Sequence, residues 1–97
     1  MNRTDEALEA LQRAVELAPE DPVVRLVLGN TFLEKGDRER AASLFREASE
    51  LAPSDLDVHV TLYTLFSSMG LEEDAGREER AIRTIQGAPE AEPGQGP

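Results

Sequence analysis

The stretch ELAPEDPVVRLVLGNTFLEKGDRERAASLFREASELAP, residues 16–53, opens and closes on the same four residues, Glu16 to Pro19 and Glu50 to Pro53, an offset of 34. A fixed offset of this size marks a chain built from repeated supersecondary units, so it is the first property to test along the rest of the sequence. Carried outward, it pairs Ala7 with Ala41 and Ala75, Ala14 with Ala48, Leu17 with Leu51 and Ile85, and Asp21 with Asp55. In the other half of the period Val24 falls on Val58, Leu28 on Leu62, Phe32 on Phe66 and Gly36 on Gly70. Apolar positions stay apolar and the turn glycine stays glycine.

Within each period the apolar spacing is helical. Ala7, Leu8, Leu11, Ala14, Val15 and Ala18 mark one side of a 3.6-residue repeat. Pro19 and Pro53 end helices; Asp21 can cap the next one with Pro22 in its first turn, and Ser54 with Asp57 three residues on reads as a capping box. Asp37 reads as a further N-cap, and Gly36 and Gly70 suit the left-handed residue that closes a helix. The spacing predicts five helices, near 3–18, 22–35, 38–52, 55–69 and 72–86, and no strands. Residues 87–97 hold three glycines, three prolines and no large apolar side chain, which predicts a disordered tail.

Composition removes most chemistry. With no cysteine there is no disulfide, thiolate ligand or thiol nucleophile, and a single histidine cannot build a multi-histidine metal site. Ten basic against twenty acidic residues leave a net charge of -10, which repels phosphate backbones and anionic lipid, so no nucleic-acid or membrane partner is expected. No run of 18 apolar residues and no basic-then-apolar leader follows Met1, and a cytoplasmic address is expected. The three phenylalanines and one tyrosine leave most packing to small aliphatic residues.

A 34-residue helix-turn-helix period carrying Leu28-Gly29, Phe32, Gly36, Ala41, Phe45, Ala48 and Pro53 resembles the tetratricopeptide repeat family over about residues 3–86. The resemblance implies an all-α fold: five helices stacked in antiparallel pairs as an α-α superhelix, a solenoid of about two and a half repeats. On that reading residues 1–21 are a half repeat, the second helix only, and 22–55 a complete repeat. Residues 56–86 are a degenerate repeat with a C-terminal capping helix, before the tail at 87–97. Gly29 and Ala41 are where the two helices of a repeat cross closely, with Phe32 and Phe45 filling the space between helices. The last repeat departs from the pattern, because Tyr63 replaces the close-packing glycine and Glu79 stands where Phe45 does one period earlier. Tyr63 would push the helices apart unless Gly76 gives it room.

In the resembled family the first helix of each repeat lines a concave groove for a partner's chain. Matched position by position, that groove takes Val23, Leu26, Asn30, Leu33 and Glu34 from one repeat and Asp57, Val60, Thr64, Ser67 and Ser68 from the next. Its centre is apolar and its rim acidic. Clamping a peptide carboxylate takes several fixed cationic or amide donors, and Asn30 alone is present, so an apolar or basic partner segment is expected. The alternative reading of Val23, Leu26 and Leu33 is plain core, and both stay open here.

The first helix carries more apolar positions than one neighbour needs, which implies self-association; Leu8, Leu11 and Val15 are the candidate residues for a homodimer. His59 reads as a packed or half-exposed side chain at the position of Arg25, and not as a catalytic group. The clusters Glu72-Glu73-Asp74 and Glu78-Glu79 read as a solvated face, because consecutive residues diverge around a helix. No nucleophile with a base, phosphate loop, calcium loop or ligand cluster is present, so no catalytic, cofactor or metal residues are assigned. The functional expectation is a non-catalytic module that binds a partner protein or peptide by groove or end face, with homodimerisation through helix 1 as the alternative.

Overall fold

A computed structural model describes residues 3–87, and the expected tail lies outside the described residues except for Gly87. These residues form five helices and no strand: α1 (Arg3–Leu17), α2 (Pro22–Lys35), α3 (Arg38–Leu51), α4 (Leu56–Ser68) and α5 (Glu72–Ile85). The chain divides into two compact units, α1 to α3 ending at Pro53 and α4 with α5 beginning at Ser54.

Local chemistry sets the helix ends. Asp21 accepts from the Val23 N–H at 2.8 Å with Pro22 in the first turn, and Asp37 accepts from the Arg40 N–H at 3.1 Å. At α4 the cap is Asp55, which accepts from the Val58 N–H at 3.2 Å, and not Ser54 as the capping-box pattern suggested. Asp55 stands one period after Asp21, so the repeat was the better guide than the local motif. Gly36 and Gly70 have φ of 93° and 77°, a left-handed backbone that a side chain disfavours. Each lies in the same double closure: Gly36 and Asp37 donate to Leu33 and Phe32 at 3.0 and 2.9 Å, Gly70 and Leu71 to Ser67 and Phe66 at 3.1 and 2.9 Å. The hydrogen bonds themselves recur at the offset of the sequence.

In the first unit α2 and α3 form a hairpin whose helices cross at Gly29. A β-carbon added there would lie 2.6 and 2.9 Å from the Phe45 ring and 3.3 Å from the Ala41 carbonyl oxygen. Ala41, Phe45 and Ala48 are fully buried, and Leu28 and Phe32 nearly so. A larger residue at position 29 has to displace a ring with nowhere to go. Gly29→Leu is therefore expected to cost roughly 1 to 3 kcal/mol by overpacking, whereas Glu73→Gln on the exposed side of α5 should stay within about 0.5 kcal/mol. Urea denaturation of both variants checks this, and equal effects would count against the close crossing.

The α4/α5 hairpin is joined differently. Tyr63, at the position of Gly29, is 40% exposed, and the missing side chain of Gly76 faces only the Arg80 guanidinium at 3.9 Å. Gly76 is thus no seat for Tyr63, which lies at the surface instead of between helices. Glu79, at the position of Phe45, is exposed and reaches Arg83 at 3.4 Å. The core of this unit comes from Val58, Leu62, Phe66, Met69 and Ala75, together with His59 and Glu78.

Candidate functional site

The first half of the expected groove lies on α2. Val23 is 54% exposed, Asn30 and Glu34 are exposed, and Leu26 and Leu33 are half-buried beside them. Val23 is therefore not core. The structure adds Val27, 46% exposed, which the family pattern had not singled out. Val23, Val27, Asn30 and Glu34 follow one another at i, i+4, i+7 and i+11, so they form a single stripe on one helix face. The signal for Val27 was available in that spacing; what hid it was the apolar run Val23 to Leu28, which reads as buried all round.

The second half lies on α4, where Asp57, Val60, Thr64, Ser67 and Ser68 are all exposed. Val60 is 45% exposed, and Tyr63 beside it gives this helix a second large surface group. Thr64 spends its hydroxyl on the Val60 carbonyl oxygen at 3.2 Å, and Ser68 on that of Leu65 at 2.8 Å. Their hydroxyl protons are thus held by the helix backbone.

On α1 the three residues named for self-association separate. Leu8 is buried, 8% exposed, and lines the side of α1 toward Phe32, so it does not belong to a free face. Leu11 and Val15 are half-buried. Of the large apolar residues of this helix Leu17 is the exposed one, at 85%.

His59 is packed, as expected, but its partner is new. Its Nδ1 lies 2.6 Å from Glu78 Oε1, with the residues 2% and 4% exposed. Glu78 and Asp74, 5% exposed, are thus not members of a solvated face, whereas Glu72, Glu73 and Glu79 are exposed. The helical wheel places Asp74 and Glu78 in the same arc as Leu71, Ala75 and Ile82, a signal masked by reading the acids as runs. Asp74 sits in the first turn of α5, where a carboxylate complements the helix N-terminus, and bonds Arg77. An imidazole paired with a carboxylate is a familiar acid–base unit, yet general catalysis needs a reactant within hydrogen-bond reach of the ring. A ring this enclosed offers none, so the pair joins α4 to α5. One period earlier Arg25 does the same for α2 and α3, reaching Glu47 at 2.9 Å and the Pro19 carbonyl.

An open cleft of about 830 Å³ lies in the first unit between α1 and the α2–α3 turn. Of its cations, Lys35 bonds Asp5 at 2.6 Å, and Arg40 pairs with Asp37 at 3.6 Å and stacks over Phe32 with its guanidinium carbon 5.5 Å from the ring centre. Among the described residues no three His, Cys, Asp or Glu side chains gather as metal ligands.

A family model described as tetratricopeptide repeat matches residues 1–65. The chain belongs to the tetratricopeptide repeat family. It is also similar to the BBSome complex member BBS4 of Bos taurus, 29% identical over 75 residues. That alignment covers 77% of this chain and 14% of the relative, so the chain spans about a seventh of that protein's length. The match to the tetratricopeptide repeat model takes in all of the α2/α3 hairpin with its Gly29–Phe45 crossing. It stops before α5, where the repeat gives up that crossing for the buried His59–Glu78 pair.

Proposed function

We propose that this tetratricopeptide repeat chain holds an apolar or basic segment of a partner protein on the exposed face of α2, with the exposed face of α4 as a second contact surface in its own unit, without catalysis. The observation that carries the reading is the exposure of Val23 and Val27 on one stripe of α2, bordered by Asn30 and Glu34. A partner that covers valines standing half in water gains the free energy of removing their apolar surface from solvent. Asp57 on α4, Glu34 on α2 and the net charge of -10 favour cationic flanks in that partner. In this family protein binding is the general role, and the proposed contact residues are Val23, Leu26, Val27, Asn30, Leu33 and Glu34 on α2 and, in the other unit, Asp57, Val60 and Thr64 on α4.

The test is a peptide array of amphipathic segments in which leucine alternates with either lysine or glutamate. The chain is expected to retain the lysine set, more weakly as salt rises, and not the glutamate set. Val23→Ser with Val27→Ser should weaken retention about tenfold or more, since each valine contributes of the order of 1.5 kcal/mol when covered. Because both residues are exposed, the fold should survive, which circular dichroism checks. Leu26 and Leu33 are poorer probes, being half-buried. Equal retention of both peptide sets would refute the charge argument, and full retention by the double variant would refute the site.

A further inference from the structure

The helices of the first unit leave a groove on the side of α2 opposite the Val23–Val27 stripe. The cleft of about 830 Å³ between α1 and the α2–α3 turn is floored by Leu8 and Phe32, both buried. A hollow of about 270 Å³ shares Gln12, Phe32 and Arg40 with it and reaches Ser43 and Leu44, so the two run on as one groove between α1 and α3. On the helical wheel Leu28, Phe32 and Lys35 of this groove point away from Val23, Val27 and Asn30. Its wall on α1, Asp5, Leu8, Glu9 and Gln12, is likewise a different arc from Ala7, Leu11 and Ala14, the counterparts of the α3 residues that α2 covers. All of its walls come from α1, α2 and α3.

We propose that this groove is a separate docking surface, which takes a segment of a partner protein where lysine or arginine flanks one apolar side chain. The charges that its two walls leave unpaired decide the chemistry. Glu9 on α1 and Glu39 on α3 are exposed and make no ion pair with any described residue. About one turn further along the same helices, Gln12 and Ser43 are exposed, and their side chains make no hydrogen bond with a described residue. Each wall thus offers a carboxylate followed by a neutral polar group, with an apolar floor between them for the stems of long cationic side chains. The opposing effect is the cleft's own cations, Lys35, Arg38 and Arg40. Lys35 and Arg40 are held by Asp5 and Asp37, and Arg38 is not free either. Four carboxylates against three cations line the cleft, and the net charge of -10 acts in the same direction over longer range. Exposed ion pairs are individually weak, so micromolar or weaker affinity is expected. Nothing in this reading depends on the α2 stripe.

Heteronuclear NMR of the isotopically labelled 97-residue chain tests this with two capped tripeptides, lysine-leucine-lysine and glutamate-leucine-glutamate. Added to about 1 mM, the first should shift the backbone amides of Glu9, Gln12, Glu39 and Ser43, and the second should not. Glu9→Gln with Glu39→Gln should raise the dissociation constant of the lysine peptide at these amides about fivefold or more. Glu9→Lys with Glu39→Lys should reverse the preference between the two peptides. Both positions are exposed, so the fold should survive, which the spectra themselves check. Val23→Ser with Val27→Ser should leave the groove shifts unchanged, so that this surface and the α2 stripe can fail independently. The proposal is overturned if the lysine peptide shifts no groove amide, if the acidic peptide shifts them equally, or if the glutamine double variant binds as well as the original chain. Equal shifts from a capped single lysine at the same concentration would also overturn it, because they would mark a counter-ion position and not a docking surface.

Discussion

Phe45→Ala is expected to lower stability by about 3 to 5 kcal/mol, the loss typical of a buried phenylalanine whose cavity cannot collapse. The expectation is specific to this position. Phe45 is 0% exposed and its ring lies against the one residue of α2 that has no side chain to move into the void. Ala41 and Ala48, its neighbours on α3, are equally short. For a chain of this size a change of that magnitude corresponds to a fall in Tm of roughly 12 °C or more, read by thermal circular dichroism. Gly29→Ala should not rescue it fully, because the methyl group fills only a small part of a phenyl ring's volume. A fall as small as that expected for an exposed side chain would mean that the α2/α3 hairpin does not rest on this crossing.

Glu78→Ala should be nearly as costly, about 3 to 5 kcal/mol, although nothing about an acidic residue in an acidic helix suggests it. The variant leaves His59 with its Nδ1 facing a cavity instead of a carboxylate 2.6 Å away, at a site 2% exposed where water offers little replacement. Replacing both partners with apolar residues, His59→Leu and Glu78→Met, should recover most of the loss, because a buried polar pair sets off desolvation against its hydrogen bond and a packed apolar pair avoids both. Chemical denaturation of the two single variants and the double variant gives the coupling between them. Additive losses would show that the residues do not act as a pair. Glu79→Ala, one position along, is the control and should be nearly silent, since that carboxylate is exposed.

The contrast between these two hairpins explains how a repeat can lose its signature and keep its fold. In the first, a small residue and a ring interlock; in the second, Tyr63 and Glu79 occupy the same two positions without interlocking. The second hairpin is held one turn away, by His59 and Glu78. His59 matches Arg25 across the period, and each bonds an acid on the following helix, Glu78 and Glu47. A cross-helix tie at this position is therefore common to both hairpins, while its depth differs: Arg25 reaches a half-exposed partner and His59 a buried one.

What the amino-acid order settled unaided was everything that depends on neighbours along the chain. The five helices, the Asp21 and Asp37 caps and the left-handed Gly36 and Gly70 all follow from residues close in sequence or one period apart, because helix geometry and capping are local and a repeat copies them. What awaited the tertiary structure was which arc of each helix another helix covers. Leu8 goes inward while Leu17 stands in water; Val27 surfaces from an apolar run; Glu78 is enclosed while Glu79 is exposed. These pairs of residues have the same local chemistry, and only the direction of the packing helix, a contact between distant parts of the chain, distinguishes them.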